Sequence, residues 1–176
     1  MLEMELLNGV RSFSGGEAAL AFWRFITALG DGGLVWIASA LFLVCFSNTR
    51  RAGCALGTAL FTGFVLCNAT LKPLVERIRP CQMHPDALLY ACPNDPSFPS
   101  GHTTASFAAA LALAFFHPRW GTAALILAVL IAWSRLYLFV HWPSDVAAGI
   151  LIGALSAALA AGLVRKFFRP LALEAH

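Results

Sequence analysis

Charge is the scarcest commodity in this sequence. Lys, Arg, Asp and Glu make up 12% of the 176 residues, against 59% hydrophobic residues. A soluble domain carries about 25% charged residues, so too few remain here to cover a water-facing surface. The formal charge of +3 is small and dispersed, which removes the case for nucleic-acid binding. No CxxC and no Cys/His ligand pair occurs among the five cysteines, and a zinc site is not expected. Cys45, Cys54 and Cys67 lie in or beside apolar runs and read as small hydrophobes. Cys81 and Cys92 share one polar loop, and spacing alone leaves open whether they pair. The first residues lack the separate charged, apolar and small-residue regions of a removable signal peptide. No long linker or low-complexity tract divides the chain, which reads as one domain over residues 1–176.

What the chain does have is apolar runs separated by short polar joints. The clearest cover residues 52–71, 120–140 and 143–164. At ~1.5 Å per residue, about 20 helical residues cross the ~30 Å hydrocarbon layer. Shorter runs at 34–46 and 103–116 can span inside a bundle, whereas 18–29 contains Arg24 and reads as a tilted span or an interfacial helix. The expected fold is therefore an all-α integral membrane bundle of about six transmembrane helices. Small residues crowd the last run (Ala147, Ala148, Gly149, Gly153, Ala154), as close helix contact in lipid requires.

The cations sort by side. Arg50 and Arg51, Arg119, and Arg165 with Lys166 and Arg169 occupy joints that six spans place on one face, cytoplasmic by the positive-inside rule. The opposite face holds the loop over residues 72–101 and should be poor in cations, yet it carries Lys72, Arg77, Arg79 and Arg135. A bound anion is the simplest reason for them.

Three clusters stand at membrane-to-water transitions on that face. They are Lys72, six residues, then Arg79-Pro80; Pro99-Ser100-Gly101-His102; and Ser134-Arg135, five residues, His141, three residues, Asp145. Together, in this order, they resemble the type 2 phosphatidic acid phosphatase (PAP2) superfamily, which also includes vanadium haloperoxidases. The physical logic of the residues is compatible with that likeness. A phosphoryl group in transfer spreads negative charge over its equatorial oxygens. Lys72, Arg79 and Arg135 supply cations, and arginine can grip two oxygens at once. Ser100 and Gly101 open a helix whose free N–H groups favour an anion. The resemblance implies His141 as nucleophile, Asp145 as the carboxylate holding its other nitrogen, and His102 as acid and then base. It implies no metal and no cofactor.

Other readings attach to single residues. Ser100 also suits an N-cap and Asp145 the first turn of any helix. Arg77 and Glu76 read as solvated or paired surface charges. His84 and His117 read as ordinary loop residues, and Trp23, Trp36, Trp120, Trp133 and Trp142 as interfacial anchors. The compact form resembles bacterial phosphatases of undecaprenyl diphosphate, phosphatidylglycerophosphate and lipid A, in the inner membrane with the site facing the periplasm. Undecaprenyl diphosphate is the preferred substrate, since that lipid is presented on the outer leaflet. The partners expected are thus a lipid phosphate and the bilayer, with the oligomeric state open. A haloperoxidase would be soluble and much longer, and a lipid or anion transporter would need polar groups at several depths.

Overall fold

A computed structural model describes residues 2–12, 15–87 and 89–168, so Arg169 lies outside the described residues. Among them all regular structure is helical. The helices are α1 (Leu2–Ser12), α2 (Glu17–Leu29), α3 (Leu34–Val44), α4 (Arg50–Phe64), the short α5 (Lys72–Val75) and α6 (Pro80–Met83), α7 (Gly101–Ala114), α8 (Pro118–Tyr137) and α9 (Pro143–Phe167). Their starts follow local rules. Pro118 and Pro143 stand in the first turns of α8 and α9, where a missing N–H costs nothing. The Ser100 side chain caps α7.

Helix α7 is the centre, packed against α4, α8 and α9. Its alanines Ala108, Ala109, Ala110 and Ala112 are wholly buried. Helix α9 lies almost backbone to backbone on it. A Cβ at Gly153 would stand 2.8 Å from the Thr104 carbonyl oxygen, and one at Gly149 would stand 2.9 Å from that of Ser100. The small residues of this run thus do what the sequence pattern predicts: they let packing contacts form where lipid offers no hydrophobic drive between helices. Large side chains turn outward instead, with Phe25, Leu41, Phe61, Leu151 and Leu155 exposed. That inversion of a soluble core suits a hydrocarbon solvent.

Among the described residues four stretches are long and apolar enough to cross a membrane: Glu17–Val44, Arg50–Met83, Pro118–Tyr137 and Pro143–Phe167. The first joins two runs that the sequence separates. Gly30 lies against His102 and Gly33 against Ala105, and the Trp36 indole donates to Ser106 Oγ at 3.1 Å. Helix α3 therefore continues inward beside α7 in the direction α2 already runs. On α2, Trp23 meets Tyr137 and Thr27 meets Arg135, which sets it antiparallel to α8. A 3₁₀ turn at Asp31–Gly33 kinks the stretch, with Gly32 at φ 60° and Gly33 at φ 67°, conformations that suit glycine. Residues 18–29 and 34–46 are the two halves of one kinked element, not two spans.

This join returns the N-terminal helix to the face that carries the polar loop. Leu7 is fully buried there with Phe139 and Trp142, and the Arg11 guanidinium lies over the Phe139 ring. Trp36 also departs from expectation, since it is buried in the core and hydrogen-bonded while Trp120 is exposed. Cys81 and Cys92 form a disulfide, with Cα atoms 5.9 Å apart. His84 and His117 remain outside the polar site, against Phe139 and Trp120 respectively.

Candidate active site

At the end of α4 the helix widens into a π-helical segment, Val65–Leu71, before Lys72. Such segments recur at functional sites, and here the segment ends on the first predicted cation. Glu76 then adopts a left-handed conformation and closes α5, and the chain runs extended into Arg79. The second cluster starts α7, the third ends α8 and begins α9. Three separate helix ends thus converge on one cavity of about 630 Å³, which Lys72, Arg79, Gly101, His102, Arg135 and His141 line.

Two predicted residues stand behind that wall. Ser100 is fully buried; its Oγ accepts from the Thr103 N–H and from Thr103 Oγ1, so its side chain serves as the helix cap. Asp145 is also fully buried. Its Oδ2 accepts from the Trp142 N–H at 2.8 Å and from Ser97 Oγ, and lies 3.5 Å from His141 Nδ1.

The tautomer of His141 follows from its neighbours. Arg79 Nη1 stands 3.0 Å from His141 Nε2, and a guanidinium can only donate. Nε2 therefore carries the lone pair, and the ring proton sits on Nδ1 toward Asp145. Burial pushes the imidazole pKa down to about 3; Asp145 opposes this, while Arg79 and Arg135 add to it. His141 is a neutral imidazole at neutral pH, with its lone pair held among cations.

Those cations are unequally satisfied. Arg79, 2% exposed, donates to the Asp95 carboxylate, the Asp95 carbonyl and the Val140 carbonyl. Lys72 pairs with the same Asp95. Burial alone would raise the Asp95 carboxyl pKa, but Lys72 and Arg79 hold it below the usual range. Arg135, also 2% exposed, donates from Nη1 to Thr27 Oγ1, and its Nε is buried without a hydrogen-bond partner. No carboxylate among the described residues forms an ion pair with it. Removing a charge from water costs several kcal/mol, and a bound anion would offset that cost.

Four residues of the site escape the motif reading. Arg77 is no free surface charge: Nη1 donates to Asp145 Oδ1 and to Ser144 Oγ, both at 2.6 Å, and Nη2 donates to Glu3 Oε2. Ser97 holds Asp145 from the loop side, while its N–H donates to the Arg77 carbonyl. Asp95 occupies the Lys72–Arg79 pair. Asp31, at the kink, lies 2.8 Å from His102 Nε2. Only Asp31 left a mark in the sequence, as an acid inside an otherwise apolar stretch. Arg24, within the run read as a tilted span or an interfacial helix, donates to the Leu89 carbonyl of the loop over residues 72–101.

Comparison with known proteins shows the family and the fold. The family model described as the PAP2 superfamily matches residues 52–169. An undecaprenyl-diphosphatase of Sulfolobus acidocaldarius is 37% identical over 68% of this chain and 59% of its own length. A putative undecaprenyl-diphosphatase of Escherichia coli, YbjG, is 42% identical over 58% of this chain and 52% of its own. The chain thus matches between half and two thirds of the length of these curated relatives. The crystal structure of Aquifex aeolicus LpxE superposes with a TM-score of 0.79 at 28% identity, covering 91% of this chain and 94% of that one.

Proposed function

Because the chain belongs to the PAP2 superfamily, we propose that it is a membrane lipid phosphatase that works through a phosphohistidine at His141 and uses no metal. The observation that carries this reading is the setting of His141. Its Nε2 lone pair faces a cavity with three cations, one of which, Arg135, is buried without a counter-ion.

The substrate phosphate takes the place of the Asp95 carboxylate on Lys72 and Arg79 and satisfies Arg135. The first-turn N–H groups of α7 at Gly101 and His102, which have no partner within the helix, add neutral donors. Nε2 attacks phosphorus as the fork of Arg79 moves from nitrogen to a phosphoryl oxygen. The P–N bond forms, the P–O bond to the leaving group breaks, and His102 gives the leaving oxygen a proton. The positive charge growing on the His141 ring is met by Asp145 across the Nδ1 proton. Water then attacks the phosphohistidine, the P–N bond breaks, and His102 takes the proton from water. The cations gather charge that is greatest in the transition state, which is where electrostatic preorganisation lowers a barrier.

The cavity supports a lipid substrate. Away from the cations its walls are Ile37, Leu41, Leu60, Phe61 and Phe64, from α3 and α4, where a tail can remain in an apolar setting. If Glu17–Val44, α4, α7, α8 and α9 each cross the bilayer, α1 and the site share one face, and Arg50, Arg51, Arg119, Arg165 and Lys166 lie on the other. The positive-inside rule then makes the site face periplasmic or extracellular, with residues 1–176 acting as one unit. Undecaprenyl diphosphate is the preferred substrate, since the relatives above carry that name.

The test is phosphate release by detergent-purified protein in excess EDTA, from undecaprenyl diphosphate, phosphatidylglycerophosphate and lipid A. Turnover that persists in EDTA, disappears in His141→Ala and leaves an acid-labile phosphoenzyme in the wild type is expected. Turnover abolished by EDTA and restored by a divalent ion would overturn the mechanism, and a different substrate ranking would overturn the preference.

A further inference from the structure

His102 is held by a carboxylate that lies outside all three sequence clusters. Its Nε2 stands 2.8 Å from Asp31 Oδ1, across a sequence separation of 71 residues. The contact depends on the kink between α2 and α3. The 3₁₀ turn Asp31–Gly33 presents the carboxylate there, and Gly30 lets the backbone come against the ring. A Cβ at Gly30 would stand 2.8 Å from His102 Cδ2 and 3.1 Å from Ile131 Cγ2. The imidazole is thus approached at Cδ2 by a backbone that only glycine can bring so near, and at Nε2 by Asp31. Gly30, His102, Lys72 and Arg135 all line the cavity that holds His141.

We propose that Asp31 is the positioning residue of the acid–base histidine, so that the site contains two carboxylate–imidazole pairs with opposite tasks. Asp145 serves the nucleophile and Asp31 serves the proton carrier. The inference rests on the reading of His102 as acid and base given above. With Nε2 engaged by Asp31, Nδ1 is the ring atom left to exchange a proton with substrate. In the first step the imidazolium gives the Nδ1 proton to the leaving oxygen as the P–O bond breaks, and the ring ends neutral with Nε2–H still on Asp31. In the second step Nδ1 takes a proton from the attacking water as the P–N bond breaks, which restores the imidazolium.

The charges facing His102 make this assistance necessary. Lys72 at the start of α5 and Arg135 from α8 line the same cavity as His102, and Asp31 from the α2–α3 kink is the anion in contact with the ring. Without Asp31, the imidazolium would have to form beside two cations with no carboxylate in contact. Asp95 lies across the cavity, paired with Lys72 and Arg79, and leaves when substrate enters. Asp31 is half exposed, with a side-chain accessibility of 52%, so Asn can replace it without opening a void.

The experiment compares two substrates of equal tail and unequal leaving group: 4-octylphenyl phosphate and its 2-nitro derivative. A nitrophenolate leaves readily without a proton, whereas an unactivated phenolate gains from one. The kcat/KM, which reports steps through departure of the leaving group, is measured for wild type, Asp31→Asn, Asp31→Glu and His141→Ala, each checked for folding by thermal unfolding in detergent. The expected result is a roughly 10²-fold or larger loss in Asp31→Asn on the unactivated ester, the low end of general acid–base catalysis. The loss on the nitro ester should be at least tenfold smaller, with partial recovery in Asp31→Glu. Equal losses on both esters would mean a structural role and overturn the proposal, as would unchanged kinetics. A wild type inactive on both, or a His141→Ala variant as active as wild type, would overturn the phosphohistidine reading itself, and is distinguishable from an Asp31 result obtained with active wild type.

Discussion

The contact of Arg77 with Asp145 predicts a kinetic effect that its sequence position does not suggest. Arg77→Ala removes one charge-assisted hydrogen bond to Asp145 Oδ1 and the link from Asp145 to Glu3. Asp145 keeps the Trp142 N–H and Ser97, so the carboxylate stays in place but loses its fixed orientation toward His141 Nδ1. A hydrogen bond to a charged group contributes about 1.5–3 kcal/mol. Since 1.36 kcal/mol is tenfold in rate, kcat should fall about tenfold to a hundredfold. Arg77 does not line the substrate cavity, so KM should change by less than about threefold, the pattern of an interaction made mainly in the transition state. The assay is steady-state phosphate release by wild type, Arg77→Ala, Asp145→Asn and the double variant. In the Asp145→Asn background Arg77→Ala should cost little more, because the two residues act as one unit. A rise in KM at unchanged kcat, or losses that multiply in the double variant, would refute the reasoning.

Further expectations follow from other contacts. Asp95→Asn removes the carboxylate that competes for Lys72 and Arg79; inorganic phosphate should inhibit this variant at several-fold lower concentration, measured as a product-inhibition constant. Leu7→Ala empties a fully buried site between Phe139 and Trp142 and should cost about 2–5 kcal/mol, visible as a lower Tm in detergent. Replacing Cys81 and Cys92 by serine opens a crosslink over a sequence separation of 11; a loss of about 2–4 kcal/mol is expected, read in the same melt. His141 binds its proton far more weakly when folded, at about 3, than when unfolded, at about 6.5. The unfolded chain therefore takes up the proton first as pH falls. This contribution to stability is complete above about 6.5 and is lost progressively toward 3. The fall of Tm over that window should be shallower in His141→Asn.

The sequence carried the site further than it carried the path of the chain. Lys72, Arg79, Gly101, His102, Arg135 and His141 stood out in the sequence because their spacing set them at three helix ends, and the fold brings them to one cavity. Ser100 kept its simpler role, since a hydroxyl one residue before a helix answers the local need of Thr103 first. Arg77, Ser97 and Asp95 were not legible, and Asp31 showed only as an acid between two apolar runs. Each acts on a motif residue through a contact with a different element, and a carboxylate or hydroxyl in a polar loop has no periodic signature.

Composition alone determined that the chain belongs in a membrane, because 12% charged residues cannot cover a surface in water. The local spacing of small residues determined that α9 would lie close on a neighbour, because only glycine and alanine permit that approach. Tertiary structure decided that residues 18–29 and 34–46 form one kinked element. Hydropathy records length and polarity but not direction, and a pair of left-handed glycines can end a span or bend it. What chose the bend was contact at a distance: Gly30 on His102, Gly33 on Ala105 and Trp36 on Ser106. Those contacts carry α3 inward along α7, bring α1 to the face of the site, and set Asp31 beside the histidine it holds.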